Sequence, residues 1–246
     1  MASQTERKRG HNRLAVRGPE VGAGSLTQEI VVAAALVQID TEGFEAFSIR
    51  ALAARLNVYP AALYWYVANR NELLARVVAL VLADTVPPRR RRLWQTHLRD
   101  IFDRFRKAVQ AHPNIAPLIG TQLVSNASVS FDLVEDLLAT LVRAGLSGAK
   151  LIGAYNTLLA GLVGFSTQEF APLPTENLRD WQLTVQTRLL SLDSEAFPTL
   201  AANLSLLSNH AFILRWQSGA EAPLDDSYEV YVEVIIAGLE ALVARQ

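Results

Sequence analysis

The sequence contains no cysteine among its 246 residues. This absence excludes disulfide bonds, thiolate zinc sites and cysteine nucleophiles, and it fits a reducing compartment such as the cytoplasm. The longest clean apolar run, residues 30–37, is far shorter than the about 18 residues that a membrane-spanning helix requires. No apolar signal-peptide core follows the N-terminal arginines. We therefore expect a cytoplasmic protein with no membrane partner.

Motifs for catalysis and metal binding are also missing. The four histidines, His11, His97, His112 and His210, are spread along the chain. Neither an HExxH helix nor a phosphate-binding glycine loop is present. A helical enzyme is thus the rival class that the sequence disfavours. We expect no catalytic residues, no metal and no cofactor.

Charge is distributed unevenly along the chain. Residues 1–92 hold 13 Lys/Arg and 8 Asp/Glu, whereas residues 93–246 hold 10 and 16. Such asymmetry favours a basic end that meets a polyanion and an acidic body that does not. A chance distribution of surface arginines is the alternative. Half of the residues are apolar and 19% are charged, which is typical of a globular chain.

Apolar residues recur with helical spacing throughout, without a period-2 strand or an internal repeat. The pattern predicts an all-α fold with three parts: a flexible basic tail over 1–24, a three-helix helix-turn-helix domain within 25–86, and a helical C-terminal domain over 93–246. The first helix begins at Ser25 or Thr27 and ends at Gly43. The later helices are predicted over 71–81, 93–111, 130–144, 147–169, 178–191, 195–215 and 226–245.

Residues 48–67 have the form of a helix-turn-helix. Ser48 is a suitable N-cap for a short helix, Asn57 and Val58 form a turn, and Pro60 begins a second helix that runs to about Val67. This geometry lays one helix across the phosphates and its partner in the major groove. The alternative is a helical corner whose aromatic residues belong to the core. The predicted outward side chains are Arg50, Pro60, Ala61, Ala62, Tyr64, Trp65 and Tyr66.

The ordered motifs over residues 27–82 resemble the tetracycline-repressor (TetR) family. They are the segments IDTEGF (39–44), SIRALAARLNV (48–58) and ALYWYVANRNELL (62–74). The Leu-Tyr-Trp triplet is similar to the branch that contains the tetracycline repressors themselves.

The resemblance implies that Tyr64, Trp65 and Tyr66 contact the DNA backbone, that Arg70 pairs with a phosphate and that Arg50 reads a guanine edge. Arginine offers two donors to guanine, and tyrosine hydroxyls can bond phosphates. The segment 60–62 (PAA) departs from relatives that carry amide or hydroxyl groups here. We therefore expect selectivity to depend on Arg50 and on DNA shape.

Two basic segments have open roles. The N-terminal tail could be a minor-groove arm or a solvated terminus. The run 89–92 could contact phosphates, although a solvated linker is the favoured interpretation.

The C-terminal domain is expected to dimerise and to bind a ligand. By the resemblance, long helices of two subunits form a four-helix bundle, and a C2 dimer would meet a near-palindromic operator. Packing within one chain is the alternative. The predicted interface residues, which are small or apolar, are Ala154, Ala160, Gly161, Gly164, Val230, Val234, Ala237, Gly238, Ala241 and Leu242.

The remaining helices are expected to enclose an apolar pocket for a small hydrophobic effector. Together these expectations describe a homodimeric repressor that an effector releases from DNA; an effector-independent regulator or activator is the alternative. The candidate pocket residues are His97, Ile101, Phe105, Leu118, Gln122, Leu137, Asn156, Leu159 and Phe165.

Overall fold

A computed structural model describes residues 26–88, 92–124, 131–174 and 176–245. The predicted tail lies outside these residues. The described part of the chain is helical and holds no strand, in agreement with the all-α prediction. Its α-helices are α1 (Gln28–Glu42), α2 (Ile49–Arg55), α3 (Pro60–Leu63), α4 (Arg70–Val81), α5 (Trp94–Ala111), α6 (Ala116–Val124), α7 (Phe131–Arg143), α8 (Gly148–Glu169), α9 (Leu178–Leu190), α10 (Pro198–Leu207) and α11 (Asp225–Val243).

Side-chain caps begin three of the four helices in the N-terminal head, which we define as α1–α4. Thr27 accepts from the amide of Ile30 at 3.3 Å, and Ser48 caps α2 through the amide of Ala51. At α4 the Asn69 side chain accepts from the amide of Glu72, whose carboxylate in turn accepts from the amide of Ala68. Each such cap contributes about 1 kcal/mol by satisfying amides without a helical partner.

The turn between α2 and α3 depends on Asn57. Its φ of 55° lies in the left-handed region, which asparagine enters more readily than most side chains. The following helix is shorter than the predicted 60–67. After Leu63 the chain continues through i→i+3 hydrogen bonds as far as Tyr66, and Leu63 and Val67 are both buried.

Helix α5 is the centre of the body, which we define as α5–α11. One face of this helix is buried through Leu98, Ile101, Phe102, Phe105 and Val109. Helices α7, α8 and α11 pack around it. The strong separation of apolar and charged residues along α5 explains this position, because a wide apolar stripe must be covered on more than one side.

Sequence spacing did not reveal α6. Pro113 ends α5 as expected, but a 3₁₀ turn (Pro113–Ile115) leads directly into a further helix. Ile115, Leu118 and Ile119 are buried, and α6 packs on both α4 and α8. The body therefore contacts the head through a helix that the spacing of apolar residues does not predict.

The predicted helix 195–215 is too long. Helix α10 ends at Leu207, and Asn209 adopts a left-handed φ of 63°. The following segment folds around polar side chains. Arg215 donates to the carbonyls of Gln217 and Ala222, and the Asn209 side chain accepts from the amides of Trp216 and Gln217.

A buried ion cluster joins three elements of the body. Glu169, fully buried at the end of α8, accepts from Arg106 of α5 at 2.8 and 2.6 Å and from the amide of Leu224 at the start of α11. Arg106 also lies 2.8 Å from Asp225 and stacks over the Tyr228 ring. Burial acts to lower the pKa of Arg106, but the two carboxylates outweigh it and raise that pKa. The guanidinium therefore stays charged inside the protein.

Gly161 of α8 is required by packing within the chain. A Cβ at this position would overlap the hydroxyl of Tyr231, which comes from α11. The Tyr231 ring is held in turn by Phe165, with ring centroids 5.0 Å apart, and by Phe102.

We predict that Gly161→Ala lowers the free energy of unfolding by about 1–3 kcal/mol, because Tyr231 must leave its place. Chemical denaturation would measure this change. Adding Tyr231→Phe removes the overlapping hydroxyl and should restore much of the loss. Gly120→Ala is the matched control, since its Cβ meets Val163 at an ordinary 3.9 Å and helix propensity should then favour alanine by up to about 1 kcal/mol. Equal losses in the two alanine variants would contradict this account.

Candidate nucleic-acid interface and regulatory body

Large aromatic side chains are exposed on the head. Trp65 is 88% exposed and Tyr64 is 51% exposed, immediately after α3. Arg50 at the start of α2 is exposed as well. Folding does not bury these rings, whereas Leu52 and Leu63 of the same motif are fully buried. The alternative in which the aromatic triplet forms the core is therefore wrong for Tyr64 and Trp65.

Tyr66 and Arg70 are engaged within the head. Tyr66 is half-buried against the core, and its carbonyl accepts from the Gln28 side chain. The guanidinium of Arg70 lies 5.5 Å from the ring centre of Phe47 and 5.7 Å from that of Phe44. Arg70 is nevertheless exposed, so its predicted phosphate contact remains a prediction.

The start of α3 presents mostly small groups. Pro60 and Ala61 are exposed and Ala62 is half-buried. Sequence reasoning missed Tyr59, which immediately precedes them and is 85% exposed. Its position beside the proline that begins the recognition helix was the available signal.

The head is hydrogen-bonded to the body at the end of α1, an arrangement that we call the latch. Asn114 donates to the carbonyls of Ile39 and Asp40 at 3.1 and 3.0 Å. His112 Nδ1 lies 2.8 Å from a carboxylate oxygen of Asp40. Away from the latch, Arg104 of α5 also donates to the Asp84 carbonyl after α4. These bonds cross the boundary that the sequence places at residues 87–92.

His97, a candidate pocket residue, is part of a buried polar chain. Its Nε2 lies 2.5 Å from Asp136 of α7, and the Arg92 Nε donates to its Nδ1 at 3.1 Å. Because the Arg92 guanidinium can only donate, Nδ1 of His97 must accept that hydrogen bond. The ring proton therefore lies on Nε2, which donates a hydrogen bond to the Asp136 carboxylate. Sequence reasoning missed Asp136, although its place on the apolar stripe of α7 with Leu133 and Leu137 was a usable signal.

The other candidate pocket residues differ in their burial. Leu159 is half-buried, and the side chain of Gln122 lies outside what the structure describes. Asn156 is exposed on the side of α8 away from Ala154 and Leu158, so the expectation that it faces the interior is wrong: two positions along a helix turn a side chain by about 200°. The buried members of the set are Ile101, Phe105, Leu118, Leu137 and Phe165.

An aromatic cluster surrounds Phe165. Its ring stacks on Tyr231 and meets the edges of Phe212 and Tyr228, with centroids 5.0–5.3 Å apart. The hydroxyls of Tyr228 and Tyr231 are shielded from solvent and have no hydrogen-bond partner among the described residues. Burial raises the pKa of Tyr231 to about 12, and burial with the nearby Asp103 raises the pKa of Tyr228. Both hydroxyls therefore remain neutral donors.

The predicted dimer residues lie on α8 and α11. A groove of about 370 Å³ between these helices is lined by Thr157, Gly238 and Leu242 among others. Ala154 is buried, and Gly161 is covered by Tyr231 of the same chain. For these two residues the alternative of packing within one chain applies. Gly164 and Leu242 are half-buried, and the exposed members are Ala160, Val230, Val234, Ala237, Gly238 and Ala241.

Within the described ranges, no group of three or more histidine, aspartate or glutamate side chains could hold a metal ion. Among the described helices none is long and apolar enough to cross a membrane.

A short helix pair with exposed arginine and aromatic side chains, carried on a helical body, defines a helix-turn-helix DNA-binding protein. Residues 31–77 match the family model described as bacterial regulatory proteins, tetR family. Residues 87–243 match the tetracyclin repressor-like C-terminal domain. The chain belongs to the TetR family of DNA-binding transcriptional regulators, which are not enzymes.

Relatives of known identity agree with this assignment. The class E tetracycline repressor of Escherichia coli is 28% identical over 212 residues, covering 85% of this chain and 97% of the repressor. ActR of Streptomyces coelicolor, solved in complex with actinorhodin, is 25% identical with a TM-score of 0.67 and covers 89% and 98% of the two chains. BioQ, solved with its double-stranded DNA operator, is 29% identical with a TM-score of 0.55 and covers 67% and 97%.

Proposed function

We propose that the protein is a homodimeric repressor that binds a near-palindromic operator and is released by a small hydrophobic effector. The observation that carries this proposal is the surface of Arg50, Tyr64 and Trp65, exposed on a head that the latch joins to the body. ActR and BioQ support it by analogy, since they were solved with a small molecule and with an operator.

Operator reading is assigned to Arg50, with Tyr64 and Trp65 holding the backbone. An exposed guanidinium can donate two hydrogen bonds to guanine O6 and N7 in the major groove. An indole or phenol group can bond phosphates, which fixes the register of the helix but carries no sequence information. Arg70 would add a phosphate contact once its guanidinium moves away from the rings of Phe44 and Phe47.

We predict that Arg50→Ala lowers affinity for the preferred operator by about 1–3 kcal/mol and flattens the preference for one guanine in each half-site. Binding measurements across operator variants would test this. Arg55→Ala is the matched control, because Arg55 lies on the same helix but is 3.6 Å from Glu42 of the head. An Arg50→Ala protein that kept the guanine preference would refute the assignment.

Dimerisation is assigned to the outer faces of α8 and α11. Val230 and Val234 are 60% and 64% exposed, and the groove beside Gly238 is open in the single chain. Exposed apolar stripes of this kind mark protein contacts. A two-fold axis here would set two recognition helices about 34–36 Å apart, one turn of DNA.

We predict that Val234→Asp makes the protein monomeric, because two buried carboxylates would face each other across the axis. Analytical ultracentrifugation measures the mass, and a gel shift should show weaker operator binding. Val142→Asp on α7 is the control, since that valine is 55% exposed but lies off the proposed interface. A Val234→Asp protein that stays dimeric would exclude this interface.

The effector site is assigned to the body around Phe165. The unpartnered hydroxyls of Tyr228 and Tyr231 each cost about 1–3 kcal/mol when buried without a partner, and an effector with oxygen acceptors would relieve that cost. The rings supply apolar contact for the rest of the ligand. No metal takes part in this proposal.

The signal is proposed to pass through the latch. An effector releases DNA only if it prefers the free conformation over the DNA-bound one. Helix α6 contacts both α8 and α4, and residues 112–114 hold the end of α1, so a shift in the body is carried to the head.

The coupling factor is the ratio of operator affinity without effector to operator affinity with effector. We predict that Asn114→Ala lowers this factor by about fivefold or more. Operator release is first screened with hydrophobic compounds on the wild-type protein, and the active compound is then titrated against the variant. Asn203→Ala is the control, because its amide donates to the Thr199 carbonyl within α10, away from the latch. Unchanged coupling would exclude the latch, and a screen in which no compound releases DNA would count against the sensor.

A further inference from the structure

Tyr59 is the most exposed large side chain beside the recognition helix apart from Trp65. It occupies the N-cap position of α3, with extended backbone angles, and 85% of its surface is open to solvent. Tyr59 is not among the residues that form the hydrophobic core of the head or pack against it.

Helix formation does not explain a tyrosine at this position. An N-cap side chain normally accepts a hydrogen bond from the first turn, a role that Ser, Thr, Asp and Asn perform. Ser48 and Asn69 do so for α2 and α4, whereas Tyr59 makes no such bond. The residue thus serves neither the start of α3 nor the core.

The neighbours of Tyr59 leave it as the main recognition group at this end of the helix. Pro60 and Ala61 expose only small apolar surfaces. In a helix-turn-helix protein the N-terminal residues of the second helix meet the base edges. Tyr64 and Trp65 follow the end of α3, so they are further from that end of the helix than Tyr59.

We propose that Tyr59 is a specificity-determining residue that packs its ring against the 5-methyl group of a thymine in each operator half-site. That methyl is the apolar group a base presents in the major groove, and an apolar side chain reads it by contact. This inference rests on operator binding by the head, and it adds a base preference that Arg50 does not supply.

The test is selection of bound sequences from random duplexes by the full-length wild-type protein and by Tyr59→Ala, Tyr59→Phe and Tyr64→Ala. Wild type should select thymine at one symmetric pair of positions. Tyr59→Ala should lose that preference, which we expect to be about fourfold per site from the burial of one methyl group, while Tyr59→Phe, which keeps the ring, retains it. Tyr64→Ala should weaken all sequences alike.

A methyl-deletion probe makes the assignment specific. Deoxyuridine in place of the selected thymine should weaken wild type but leave Tyr59→Ala unaffected, and the dependence of Tyr59→Ala binding on salt should equal that of wild type. A reduced salt dependence with unchanged base preference would instead make Tyr59 a phosphate contact and overturn the proposal. Wild-type protein without salt-sensitive affinity for any duplex would refute operator binding itself.

Discussion

The hydrogen bonds at the end of α1 are the constraint on which the two-part architecture depends. A helix leaves its last carbonyls without helical partners. Asn114 of the body donates to the Asp40 carbonyl and adds a second bond to the Ile39 carbonyl, which also accepts from the Gly43 amide. With α6 packed on α4, the head is fixed at two places. The body therefore sets the orientation of the head. A regulator needs such a connection if a conformational change in one part is to alter the other.

The head separates the residues that fold it from those left for a partner. Leu52, Leu63 and Val67 close the two short helices on each other, and Asn57 makes the turn between them. Because these few contacts suffice, Arg50 and Trp65 can stay in solvent at no cost to the core. The recognition helix has four α-helical residues, so its conformation depends on the turns on either side of it.

Local patterns predicted the head well and the body less well. Gly43, Ser48 and Pro60 act locally, so α1 ends at the first of them and α2 and α3 begin at the other two, as the sequence predicts. Helix α6 was missed because Pro113 ends one helix and permits another to begin soon after it. The bond between His97 and Asp136, the exposure of Asn156 and the covering of Gly161 by Tyr231 are set by contacts between distant segments, which spacing along one helix does not reveal.

The carboxylate of Glu169 has an effect well beyond its own surroundings. An apolar replacement of similar volume could stabilise the interior as well as a buried ion pair does, so the pair is better understood as a means of specifying geometry. By accepting from the amide of Leu224, the residue before α11, and from the guanidinium of Arg106 on α5, Glu169 anchors the start of α11 to α5 and α8. The exposed Val230 and Val234 follow that anchored end along α11, so in the proposed dimer the buried charge of Glu169 would set the direction in which two subunits meet.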